Sequence, residues 1–282
     1  PDPPTTANVS PRAISKLADT LFEEHLLDWC DTQLKGKNPA VSAPVRVFVM
    51  GENRWQHENE WPLARSQFTS LFLTSDGNAN SARGSGSLSF EQPKPHTPPD
   101  EYVYDPRDPV MSLMGPDIQM EPREQAPLDD RQDILVYRSE PLTEDIRIVG
   151  PVSVELWISS SAPDTDFTAK LIDEDGEGAD VNLTYGILRC EYREGFGTKA
   201  SHLEPNKIYQ ITIPLNPTGN LFKAGHRIRL DISSSDFPNF DRNHNTGRDF
   251  WSDTELVPAK QRVFHDESHP SRLVLPVIPA GS

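Results

Sequence analysis

From Pro11 onward, apolar residues return at three- and four-residue steps: Ile14, Leu17, Ala18, Leu21, Phe22, Leu26 and Trp29 form one stripe, while Asp19, Glu23 and Glu24 fall mostly off it. This period predicts an amphipathic helix. Ser10 followed by Pro11 marks its start, an N-cap before a residue whose missing N–H is harmless there, and Lys35-Gly36 marks its end. Past a linker over 37–44 the period drops to two. Val45, Val47 and Val49 alternate with Arg46 and Phe48, and Phe68–Thr74 reads as a second strand. From residue 133 strands are predicted densely, over 134–137, 146–149, 152–159, 167–173, 187–192, 208–215, 227–233 and 272–278. Residues 51–62 read as a polar loop carrying Trp55 and Trp61, and 76–87 as a Gly/Asn/Ser turn region. The proline-rich stretch 92–127 reads as a long loop over the sandwich, held by Tyr102, Tyr104 and the Met111–Met114 segment. With no internal repeat and turn chemistry such as Asp175-Gly176, the pattern predicts a mainly β fold, a jelly-roll β-sandwich preceded by one long helix.

Composition sharpens this. Twenty-seven prolines and 35% hydrophobic residues suit short strands joined by turns. A net charge of -16 without a basic stripe excludes a nucleic-acid or anionic-membrane surface, because phosphate is bound by clustered Lys and Arg. No apolar run approaches the roughly 20 residues needed to cross a bilayer. The chain is expected to be soluble, with the cytoplasm favoured over secretion. It begins without an initiator Met, so a fragment or processed product is expected. Cys30 and Cys190 lack disulfide-framework or zinc spacing and read as core thiols, Cys30 inside the helix stripe and Cys190 inside a strand.

The search for chemistry is largely negative. A Gly-x-Ser-x-Gly elbow is absent, and Gly84-Ser85-Gly86-Ser87 reads as a flexible loop. His226, His244, His265 and His269 show no helical two-histidine motif, and Asp173, Asp175 and Glu177 fail EF-hand spacing but suit a hairpin turn. No metal or cofactor is expected. Trp157 stands out: alternation places Val152, Val154, Leu156 and Ile158 on one face and Ser153, Glu155, Trp157 and Ser159 on the other. An indole among polar residues marks either a contact surface or a side chain covered by the 92–127 loop.

Several segments then become specific in order. Val47-Phe48-Val49-Met50-Gly51, Glu60-Trp61-Pro62-Leu63, Tyr104-Asp105-Pro106, Ser159-Ser160-Ser161-Ala162-Pro163-Asp164-Thr165-Asp166-Phe167, Gly225-His226-Arg227, Phe237-Pro238, Phe240-Asp241-Arg242-Asn243 and His269-Pro270-Ser271 together resemble the C-terminal half of the CocE/NonD serine hydrolases, the cocaine esterase-like and Xaa-Pro dipeptidyl-peptidase-like family. The likeness runs over roughly residues 20–282.

The resemblance implies an α/β-hydrolase domain with a Ser-His-Asp triad before residue 1, followed by a galactose-binding-like jelly roll. Residues 1–38 would be a polar tail and the last helix of that domain, and 39–282 the accessory sandwich. The helix residues Leu21, Phe22, Leu26 and Trp29 would face the catalytic domain. Trp157, Asp164, Asp166 and Phe167, with Phe237, Asp241 and Asn243 from a second loop, would shape the pocket or the domain interface for a small ester or peptide substrate. The segment alone would be inactive and prone to self-association through its helix. The competing expectation is a free-standing carbohydrate-binding or protein-interaction module.

Overall fold

The computed structural model describes residues 11–38, 43–113, 124–249 and 251–281, and within the leading helix its side chains only from Glu23 onward. The helix α1 (Pro11–Lys35) runs over the predicted span. Gly36, at φ 66°, then takes the left-handed conformation that ends helices, which a residue with a Cβ adopts at a cost. Fifteen strands follow: β1 (Val45–Val49), β2 (Arg54–Glu58), β3 (Gln67–Thr74), β4 (Ser87–Ser89), β5 (Asp100–Tyr104), β6 (Leu135–Ser139), β7 (Ile146–Gly150), β8 (Ser153–Ser160), β9 (Asp166–Glu174), β10 (Asp180–Arg189), β11 (Tyr209–Pro214), β12 (Thr218–Phe222), β13 (Arg227–Ser233), β14 (Ala259–Phe264) and β15 (Arg272–Val277).

β1 and β2 form a separate antiparallel hairpin; the other thirteen strands join in one sheet whose main path is β10-β9-β13-β6-β4-β3-β15-β8-β14-β5. Its inward faces meet as a β-sandwich. Val154, Leu156 and Ile158 of β8, Leu273 and Leu275 of β15, Leu230 and Ile232 of β13, and Phe167, Ala169 and Leu171 of β9 share one buried cluster. In β8 the alternation holds as predicted: Val152, Val154, Leu156 and Ile158 are buried, and Trp157 lies on the opposite face.

Two predicted loops prove to hold strands. β2 lies inside the supposed polar loop 51–62, and β5 inside 92–127, where it pairs with β14 from Ala259↔Tyr104 to Val263↔Asp100. Asp100, Tyr102 and Tyr104 point inward and Glu101 and Val103 outward, so β5 alternates, but one inward position is a carboxylate and the flanking prolines obscure the run. β4, β12 and β14 were also unforeseen. Cys190 sits in a 3₁₀ turn after β10 rather than in a strand, and Cys30 is half-buried rather than core. The arms 105–113 and 124–133 carry Val110 and Leu128 into a small cluster with Ile134 and Val136.

Candidate functional site

Between the sandwich and α1 lies the β1–β2 hairpin, and its two faces divide the work. Val47 and Val49 pack with Val149, Leu63 and Ile278 on the sandwich side. The connection is reinforced by backbone bonds from Met50 N to Gly219 O (3.0 Å) and from Leu221 N to Met50 O (2.8 Å). Gly51, at φ 79°, lies so close to the Leu221 carbonyl that a Cβ would collide with it. On the opposite face, Phe48 meets Trp55 edge-on at 5.4 Å, and the Arg46 guanidinium sits over the indole at 4.6 Å. α1 docks here through His25, whose ring is edge-on to Trp55 at 6.3 Å and whose Nε2 accepts from Arg46 at 2.5 Å.

His25, Asp28 and Thr32 recur at helical spacing and are half-buried, and His25 is the one of them shown against the hairpin. Among its described side chains the large apolar ones stay outside: Leu26 is 50% exposed, Leu27 68%, Trp29 60% and Leu34 78%. An amphipathic helix normally does the reverse, since each buried leucine gains on the order of 1.5–3 kcal/mol. Of the four predicted helix-face residues, Leu26 and Trp29 are on this open surface, while the Leu21 and Phe22 side chains lie outside the described residues. Among the described residues no helix is long and apolar enough to cross a membrane.

Three of the predicted pocket residues converge on one polar hub. Asn243 donates through Nδ2 to both Asp164 Oδ2 and Asp166 Oδ1 at 2.7 Å, and its Oδ1 accepts the Asn245 N–H at 2.9 Å. Arg189 forks onto Asp166 at 3.0 and 3.2 Å, and the Glu191 N–H reaches Asp164 at 2.9 Å. Burial, with help from the neighbouring Asp166 charge, pushes the Asp164 carboxyl up to about 6 against the donors that stabilise its charge. Burial also raises Asp166, with Arg189 opposing it. The hub ties the 161–166 turn to the 237–247 loop from within.

The remaining predicted residues go elsewhere. Phe167 is fully buried in the sandwich core, where its ring packs the fold and reaches no surface. Trp157 is half-buried, met edge-on by His269 at 5.1 Å in the turn before β15. Phe237 is half-buried under the Arg242 guanidinium, 5.1 Å from its ring centre, and bonds through its backbone to Val110 and Ser112. Asp241 is exposed.

One cluster escaped sequence reasoning because its members are up to 190 positions apart. Ser75 Oγ lies 2.7 and 2.8 Å from the Asp100 oxygens and 3.1 Å from His265 Nε2, while His265 Nε2 lies 2.9 Å from Asp100 Oδ2. These are the residue types of a catalytic triad in a different geometry. Serine and aspartate share the same ring nitrogen, so the aspartate does not orient the imidazole from its far side, and all three groups are buried. The Asp173 and Asp175 carboxylates likewise serve local structure: Asp173 pairs with His226 Nδ1 at 2.8 Å, and Asp175 accepts the Glu177 and Ala179 N–H groups of its hairpin. Among the described residues no group of three or more His, Cys, Asp or Glu side chains converges as a metal site. An open cleft of about 500 Å³ lined by Asn80, Val103, Asp105, Arg131 and Asp133 holds an Arg131–Asp133 pair, closed on itself at 2.8 Å.

Comparison with known proteins gives this geometry a context. Residues 40–274 match the family described as the X-Pro dipeptidyl-peptidase C-terminal non-catalytic domain. The chain is 40% identical over 256 residues to the cocaine esterase of Rhodococcus sp. (strain MB1 Bresler), covering 88% of this chain and 44% of that protein. An α-amino acid ester hydrolase structure superposes with a TM-score of 0.78 at 30% identity, covering 93% of this chain and 45% of the other. An aminopeptidase structure from a marine sediment archaeon, Thaumarchaeota archaeon, gives 0.78 at 28% identity, covering 93% and 44%. The chain thus spans less than half the length of each of these relatives.

Proposed function

Because the chain belongs to the X-Pro dipeptidyl-peptidase C-terminal non-catalytic domain family, we propose that it serves a serine hydrolase as its accessory β-sandwich and that the open face of α1 seats on the catalytic portion. The observation that carries this reading is the described part of α1: His25 goes to the hairpin, and Leu26, Leu27, Trp29 and Leu34 are left to water. Large apolar side chains exposed together on one element mark a docking surface.

In this reading the catalytic portion supplies the nucleophile, base and oxyanion donors of an acyl-enzyme mechanism acting on a small ester or peptide. The likeness to an esterase, an amino acid ester hydrolase and an aminopeptidase supports that substrate class. The sandwich contributes shape. Trp157, Phe237 and Asp241 are the predicted residues accessible to a neighbour, and the Asp164–Asn243–Asp166 hub fixes the loop bearing two of them.

The test is binding of the chain to a separately produced catalytic portion of the same protein. The wild-type chain should bind, and the double variant L27E/L34E should bind at least tenfold more weakly while keeping the wild-type circular dichroism spectrum. Equal affinity for the two would remove α1 from the interface.

A further inference from the structure

We propose that the groove between the end of β4 and the β6–β7 turn is a binding site for a small organic ammonium ion with an apolar ring or branched chain. None of its residues belongs to the proposed α1 seat.

The groove follows from the way two strands part. β4 pairs in parallel with β6 through Ser87↔Arg138 and Leu88↔Ser139; β4 then ends at Ser89, while the chain beyond β6 turns over 140–145 into β7. The space that opens has a volume of about 310 Å³, at the lower end of the roughly 300–1,000 Å³ that small-molecule sites occupy. Leu88 and Leu142 belong to the sandwich core and Ile146 packs against it, so the groove exposes the margin of that core. Phe90, 55% exposed, also lines it.

The turn is held in place by the chain itself. Ser139 O accepts from Arg227 Nη1 at 2.7 Å, and Ser139 Oγ accepts the Ile228 N–H at 2.9 Å. The Leu142 N–H donates to His226 O and the Gly225 N–H to Leu142 O, both at 2.8 Å, and the Ala224 N–H reaches Asp145 Oδ1 at 2.8 Å. One wall is thus fixed to 224–228, and a ligand has little of it left to order.

The charge along the groove has one sign. Glu140 and Glu144 line it, and no lysine, arginine or histidine does. The Glu140 side chain is 94% exposed, and Arg227 Nη1 lies 3.8 Å from it, outside hydrogen-bond reach, while bonding Ser139 O. Glu144 is exposed and makes no ion pair among the described residues. Both carboxylates therefore keep oxygens for a ligand. A hydrated metal ion would leave Leu88, Phe90, Leu142 and Ile146 unused, and an anion would meet like charge. An arylalkylammonium uses both halves of the site: its ring lies on the core margin and its N–H groups donate to the carboxylates.

The test titrates the chain with 2-phenylethylammonium at pH 7 and follows amide and methyl resonances by NMR. Shifts should saturate and centre on Leu88, Phe90, Leu142 and Ile146, whereas 3-phenylpropionate, similar in shape and opposite in charge, should leave them unmoved. In E140Q/E144Q, which changes two exposed side chains and spares the fold, the amine should bind roughly fivefold more weakly. Neutral 2-phenylethanol should bind the wild type and this variant alike. Equal response to the carboxylate and the amine, equal amine affinity in the double variant, or no saturable shift at these residues would each overturn the proposal. The full-length protein should respond to the amine in the same way; a silent groove there would assign it to a contact within the protein and overturn the ligand site.

Discussion

Among the described residues Arg229 heads the fully buried side chains by volume, and its guanidinium is shared among three carboxylates: Asp231 at 2.8 and 3.0 Å, Asp180 at 2.8 Å and Asp129 at 2.8 Å. It pins the loop carrying Asp129 to β10 and β13. Removing one partner of a buried ion cluster leaves uncompensated charge, so R229M should cost about 3–5 kcal/mol, read as the shift in a urea unfolding curve. The Asp164 hub makes a prediction of opposite character. Its carboxyl is raised to about 6 in the fold against about 3.9 when unfolded, so the native state holds an extra proton between those values. Its contribution therefore falls as pH rises through that window, and D164N should flatten the corresponding part of a melting-temperature profile between pH 4 and 7. Within the candidate site, Asp164 and Asp166 were legible together because they lie in one distinctive segment, while their bond to Asn243 of the second loop appears only in the fold. The Ser75–Asp100–His265 cluster was not, since no local pattern signals a contact that tertiary pairing alone creates.

At the scale of elements, the described side chains of α1 meet the hairpin in an aromatic and cationic cluster around Trp55, whose loss is separable from the fold of the sandwich. W55A removes the ring between His25 and Arg46. Amide exchange in 25–35 should speed up, while β8 and β9, whose inward residues are fully buried, should exchange at the wild-type rate. The helix was legible because its caps and its period agree, and β8 because strict alternation matches burial on one face. β2 was illegible for an equally physical reason. Arg-Trp-Gln-His-Glu has no apolar alternation, and it is a strand only because Phe48, Arg46 and His25 cover its tryptophan. β5 hid behind an inward Asp100 whose partners come from distant positions.

At the scale of the molecule, the chain has the organisation of a support. The sandwich holds Ser75, Asp100, Asp164, Asp166 and His265 in buried structural networks, while α1 leaves four large apolar side chains exposed on one short stretch. Purified alone, it should not turn over a chromogenic ester or be covalently labelled by a fluorophosphonate, whereas labelling at Ser75 would assign chemistry to the buried cluster. The apolar side chains of α1 are proposed to be covered in the full-length protein, and hydroxyl-radical footprinting tests this most directly. Leu26, Leu27, Trp29 and Leu34 should be modified readily in the isolated chain and at least several-fold more slowly in the full-length protein, with exposed Phe90 and Phe196 as references. Equal modification of the four residues in both would contradict the account.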